Sequence, residues 1–154
     1  MVMAKHPPWT RHIFSDADFE AIAAAIARAE ALTSGQIKVH LERRVHGRTG
    51  DALARAKQVF AHLALHRAAD RHAVLIYLAL EDRKLAIIGD VGIHARVGDE
   101  YWSAIRDRMV EGLRANAARD AIVGAVDEVG RVLREHFPRR PEDTNDTGDE
   151  VSVG

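Results

Sequence analysis

Three carboxylates stand out as residues that could do chemistry: Glu30 just ahead of Thr33-Ser34-Gly35, Asp90 between Gly89 and Gly92, and Asp99 a few residues on. Calcium and magnesium take oxygen ligands, and irregular glycine-containing loops supply both side-chain and main-chain oxygens. An ion held by Glu30, Asp90 and Asp99 could polarise a phosphoryl oxygen and lower the pKa of an attacking water. The spacing is not that of an EF-hand. Helix capping and pairing with arginine, the commoner fates of loop acids, stand as the alternative for all three.

Other chemistry finds less support. His62 and His66 lie four apart, as two zinc ligands might, but no glutamate follows His62 and no third ligand is evident. Ser34 lacks the G-x-S-x-G elbow of a serine hydrolase. Gly89 and Gly92 form neither a P-loop nor a dinucleotide fingerprint. The arginines from Arg43 to Arg48 read as a solvated loop. There is no cysteine, which excludes disulfides, thiolate metal sites and a cysteine nucleophile.

The elements that must position these residues are legible from periodicity. Ala73 to Leu80 is apolar at every position, short, and bounded by charge, so it is expected to be a central strand buried on both faces. The turn Glu81-Asp82-Arg83 and the run Lys84 to Gly92 make a hairpin partner. Upstream, Ser15 or Asp16 caps a helix with Phe19, Ile22, Ala23, Ile26 and Ala29 on one stripe, running out towards a stop at Gly35. Gln36 to Glu42 alternates strictly. Ile37, Val39 and Leu41 point to the core, while Lys38, His40 and Glu42 point to a wet or partly covered face. A second helix starts at Asp51, carries Leu53, Ala56, Phe60 and Leu63, and ends near His66. After an irregular segment from Asp90 to Asp99, a third helix carries Trp102, Ile105, Met109 and Leu113. Beyond a break at Asn116, a fourth carries Ile122, Val126, Val129, Leu133 and Phe137, and Pro138 stops it.

The expected fold is therefore α/β, a small mixed sheet sandwiched by helices in the order helix, strand, helix, strand, strand, helix, helix (α-β-α-β-β-α-α). Residues 1–14 are a lead, 15–138 the domain, and 139–154 an acidic tail expected to be disordered, whose Val151-Ser152-Val153 end can add a short edge strand. Parallel first and second strands begin at one end of the sheet, and the antiparallel third strand finishes there. The loops Glu30 to Gly35, Arg67 to His72 and Gly89 to Asp99 should therefore converge and bring Glu30, Thr33, Ser34, Asp70, Asp90 and Asp99 within reach of one another. The opposite end collects Arg43, Arg44, Arg48, Asp51, Glu81, Asp82 and Arg83.

The formal charge of the chain's 154 residues is −1, with a balance of −3 from Pro138 onward and +2 on the rest. Neither suits a nucleic-acid binder; a protein partner is expected instead from the acidic tail, whose Val-Ser-Val end could dock on a partner's sheet edge. No stretch has the length of a membrane span or a signal-peptide core, which points to a cytoplasmic protein.

Glu30-Ala31-Leu32-Thr33-Ser34-Gly35-Gln36-Ile37, Val74 to Ala79, Asp82-Arg83-Lys84, Ile88-Gly89-Asp90-Val91-Gly92-Ile93 and His136-Phe137-Pro138 follow one another in an order that resembles the TPM domain family. That family is named for a thylakoid-lumen protein, a photosystem II repair protein and an acetylcholine-receptor modulator. The resemblance implies an α/β sandwich and a function described variously as acid phosphatase, divalent-cation binder or assembly partner. The family's Glu-x-x-Thr-x-Gly pattern falls on Glu30, Thr33 and Gly35, and its glycine-rich loop on Gly89, Asp90 and Gly92. Two positions depart from the pattern. Gln36 stands where a glutamate is usual, and His72-Ala73 replaces an Asn-Gly. Two functions follow as expectations: a cation-binding interaction or assembly module, or a metal-assisted phosphatase acting on phosphate monoesters.

Overall fold

The computed structural model describes residues 7–46, 50–63, 72–139 and 151–154. A 3-10 turn at Pro8–His12 leads into helix α1, Asp16–Glu30. Ser15 caps it in a capping box with Asp18, each side chain taking the other's backbone N–H. Strand β1 is Gln36–Glu42, helix α2 is Ala52–His62 with Asp51 as its cap, and strands β2 and β3 are Ala73–Ala79 and Lys84–Gly89. Helix α3 is Val91–Arg114, α4 is Ala118–His136, and the two-residue strand β4 is Ser152–Val153.

The sheet order is β3-β2-β1-β4, with β1 parallel to both β2 and β4 and β2 antiparallel to β3. Gln36 pairs with Ala73 and Gly89 with Val74, so β1 and β2 do start together where β3 finishes. One face of the sheet presents Ile37, Val39, Leu41, Val74, Ile76, Leu78, Leu85 and Ile87 to α1, α3 and α4. The other presents Leu75, Tyr77 and Ala86 to Ala56, Val59 and Phe60 of α2. β2 is buried along its whole length, as its uninterrupted apolar run requires. The helices are thus three against one across a mixed sheet, the sandwich expected from the sequence.

Four local expectations are corrected. The segment Asp90 to Asp99 is not irregular. Asp90 takes the Val91 N–H and starts α3 at once, and the break is confined to Gly98, whose φ of 75° is open to glycine without strain. β3 accordingly stops at Gly89 rather than Gly92. α1 stops at Glu30, well short of Gly35, which instead sits tight against Leu133 and the His72 carbonyl. Leu53 faces solvent, and α2 ends at His62, its last turn closed by Leu63. Finally, the polar face of β1 is not wet: His40 and Glu42 are buried.

Among the described residues no helix is long and apolar enough to cross a membrane. The Val151-Ser152-Val153 end does form the anticipated edge strand, on β1 of its own chain.

Candidate functional sites at the two ends of the sheet

The strand-start end gathers the residues expected there. Glu30, the last residue of α1, turns inward and is 3% exposed; its Oε2 accepts the Ile37 N–H at 2.7 Å. Asp90 is 5% exposed, donates its own N–H to the Ala73 carbonyl at 2.8 Å, and caps α3 with Oδ1. Glu30 and Asp90 therefore serve the starts of neighbouring strands. Buried Thr33 donates its hydroxyl to the Phe137 carbonyl at 2.5 Å and accepts the Gly35 N–H at 3.0 Å. A bridge between Thr33 and Pro138, with the Arg139 guanidinium on the Glu30 carbonyl, ties this loop to the exit of α4. The His72 and Phe137 rings stack at 3.4 Å. Asp70 and His66 lie outside the described residues.

Asp99 belongs to different surroundings. It follows the Gly98 break, its side chain is 94% exposed, and its Oδ1 faces His94 Nε2 at 3.4 Å. The Trp102 indole N–H donates to His94 Nδ1 at 3.0 Å, which assigns the ring proton to Nε2, the nitrogen that meets Asp99. His94, Asp99 and Trp102 line a cleft of about 870 Å³ between α2, the outer edge of β3 and α3, into which Lys57, Lys84 and Arg106 also reach.

Glu30 and Asp90 offer the carboxylate oxygens a hard cation prefers, and each already satisfies a main-chain N–H with one oxygen. Among the described residues no three His, Asp or Glu side chains gather at metal-holding spacing.

At the other end of β1 lies a polar cluster that the reading of the sequence missed. Glu42 is wholly buried, yet its carboxylate is gripped by Arg55 of α2, with Nε on Oε1 at 2.9 Å and Nη2 on Oε2 at 2.6 Å. The Tyr77 hydroxyl donates to Oε1 at 2.6 Å and His40 Nε2 stands 3.3 Å from Oε2. Burial pushes this carboxyl up, but the hydrogen bonds of Arg55, Tyr77 and His40 and the Arg55 charge outweigh it and hold its pKa at about 2. Burial, outweighing the pull of Glu42, lowers His40 below its ordinary value. It also raises Tyr77, helped by the carboxylate beside it. With His40 neutral and its proton on Nε2 towards Glu42, Nδ1 is free to accept the Ser152 hydroxyl of β4 at 2.8 Å.

A signal for this cluster was present. Aligning β1 and β2 at their starts places His40 opposite Tyr77, and two polar side chains opposite each other on a covered face need partners. Nearby, the opposite-end loops meet as expected: Arg43 and Arg44 pair with Glu81, and Asp82 accepts the Val45 N–H.

The family model described as the TPM domain matches residues 10–132. The solution structure of the BA42 protein from the psychrophilic bacterium Bizionia argentinensis is similar over 100% of both chains, with 29% identity and a TM-score of 0.83. The N-terminal domain of the cg2496 protein from Corynebacterium glutamicum shares the fold at 18% identity and a TM-score of 0.62, over 86% of this chain and 87% of that one. An N-terminal domain from P. gingivalis does so at 18% identity and 0.68, over 83% of each chain. No protein of curated function matches.

Proposed function

Since this chain belongs to the TPM domain family, we propose that it is an interaction or assembly module that works by strand pairing at the edge of its sheet. The observation that carries this reading is β4. A two-residue strand from the far end of the sequence is seated in register on β1, His40 opposite Ser152 and Leu41 opposite Val153, and the Gly154 N–H closes the ladder on the Leu41 carbonyl at 2.9 Å. Strand addition of this kind is a general way for a domain to take a partner, main-chain hydrogen bonds giving affinity and alternate side chains giving selectivity. In amide NMR of the full chain, a partner that uses this edge shifts His40 to Glu42 and releases Ser152 and Val153. A partner that binds without moving those amides overturns the reading.

A divalent cation, calcium or magnesium, belongs to this proposal as an organiser of the loops at the strand-start end. Glu30 and Asp90 would be its carboxylate ligands; Asp99, beyond the Gly98 break and facing His94, stands apart from them. It is supported by two nearly buried carboxylates at adjacent strand starts and by the family resemblance. Titration with calcium and with magnesium is expected to move amides 30–35 and 89–92. Shifts scattered over the surface, or none, count against it.

A second reading, hydrolysis of phosphate monoesters, is favoured by the cleft beside β3. Lys57, Lys84 and Arg106 could hold a phosphoryl group there, next to the His94–Asp99 pair. A cation at Asp99 would supply Lewis-acid polarisation of the ester. Rigorously purified chain and its Asp99→Asn and Lys57→Ala variants decide this reading. Equal release of phosphate from a monoester by all three, or none by any, removes it.

A further inference from the structure

Strand β4 does more than pair its backbone. It places two side-chain positions against the polar cluster of β1. At 152 the Ser hydroxyl meets His40 Nδ1 at 2.8 Å. At 154 the chain passes so close that a Cβ would stand 2.8 Å from His40 Nε2 and 2.9 Å from Glu42 Oε2, inside van der Waals contact. Neither of those atoms can easily give way. Glu42 is fixed by Arg55 and Tyr77, and His40 is held between Glu42 and the strand. The edge therefore reads a hydroxyl at one position and the lack of a side chain two residues later, the spacing at which a strand returns to the same face.

The receiving surface is built by β1, β2 and α2, whereas the occupant contributes two paired residues, both only half-buried. A ligand held by so little backbone pairing on a surface so firmly set is an exchangeable one.

We infer that the C-terminal half of the β1 edge is a recognition site for an extended Ser-x-Gly strand, held in this structure by the chain's own Ser152-Val153-Gly154. Its occupant in trans is the same strand of a second copy of this chain. The inference rests on the interaction-module reading above and adds to it the sequence that the edge selects and the partner that carries it. The second copy is chosen because its strand is the one sequence known to satisfy both positions. Exchange of an identical element between protomers is also a low-cost route to a dimer. The chain's own strand competes at an effective concentration on the order of 1 mM, so exchange is strongest when that strand is weakened.

The test uses the full chain, its Ser152→Glu variant, which sets a carboxylate in place of the hydroxyl at His40, and its Gly154→Pro variant, which removes the N–H that the Leu41 carbonyl accepts. The probe is a fluorescent peptide with the sequence Thr147 to Gly154, followed by anisotropy. It is expected to bind both variants at least tenfold more tightly than the unaltered chain. Peptides carrying Ser152→Val or Gly154→Val should lose at least tenfold of that binding. Sedimentation of the unaltered chain at millimolar concentration should show a dimer that Ser152→Glu abolishes. Binding of all three peptides alike overturns the Ser-x-Gly selection and leaves the interaction module standing. A peptide bound by none of the chains overturns both. Selective peptide binding with a chain that stays monomeric overturns the second copy as partner.

Discussion

The Tyr77 hydroxyl donates to Oε1 of Glu42 at 2.6 Å, and both side chains are wholly buried. A carboxylate stays charged in such a place only because every oxygen is occupied. The cost of taking it out of water is offset by Arg55, Tyr77 and His40 together. The cluster is then a unit in which removal of any one partner exposes the others to an unmatched charge. Replacing Arg55 with Ala should lower stability by about 3 kcal/mol, near the low end for breaking a buried pair because the guanidinium is itself partly exposed. Tyr77→Phe, which leaves the packing intact, should cost about 2 kcal/mol. Urea unfolding of the two variants checks both, and a loss below about 0.5 kcal/mol for Arg55→Ala would mean the pair is solvated after all.

The same cluster sets how stability varies with pH. His40 is lowered by burial in the folded chain, facing Glu42 on its own strand, Arg55 and His62 on α2 and Tyr77 on β2, with His46 also near Glu42. The unfolded chain therefore takes up this proton first as pH drops below about 6.5, and stability falls. Glu42, at about 2 when folded against 4.5 for the free group, contributes stability that is complete above about pH 4.5 and lost as pH falls towards 2. Thermal unfolding should show two successive declines on acidification. In His40→Gln the upper one should disappear and the lower remain.

This cluster also marks the limit of what the sequence revealed. The apolar run of β2, the strict alternation of β1 and the capped helices are one-dimensional patterns, and they gave the sheet, its parallel register and the convergence of the loops at Glu30 and Asp90. His40 and Glu42 alternate with apolar residues just as exposed residues do. Periodicity reports which face a side chain takes, and whether that face is wet depends on what α2 and the tail lay over it. The start of α3 was missed for a related reason. Gly89 and Gly92 suggested a loop, whereas Asp90 as cap was enough to begin the helix, and the interruption falls at Gly98. Glu30, Asp90 and Asp99 were singled out by their loop positions, and the structure gives Glu30 and Asp90 main-chain partners and Asp99 a histidine.

Gly89 ends β3 where the backbone runs against Trp102. A Cβ there would fall 2.4 Å from the indole ring. Gly89→Ala should destabilise the chain by about 1–3 kcal/mol, as overpacked cores do. Because the displaced ring is the one bonded to His94, tryptophan fluorescence should shift as well. Unchanged emission together with unchanged stability would show that the strand end moves aside freely.

Thr33→Val keeps the shape of a buried residue and removes the hydroxyl that joins the Gly35 N–H to the Phe137 carbonyl. A loss of about 1–2 kcal/mol is expected. Faster amide exchange should be confined to the loop after α1 and the residues after α4. Exchange that quickens evenly over the sheet would instead point to a global effect.

The placement of β4 has a consequence for the newborn chain. β1 leaves the ribosome well before the strand that covers its edge, which is separated from it by 112 positions, from His40 to Ser152. Synthesis runs from the N-terminus, and early elements wait for late ones. While the residues between them are being made, the edge of β1 is therefore without β4, a row of unpaired amides and carbonyls of the sort through which polypeptides stick to one another. A foreign strand laid there with a side chain where Gly154 sits would run into His40 and Glu42, which leave no room for a Cβ, so the shape of the edge itself disfavours most wrong neighbours during that interval.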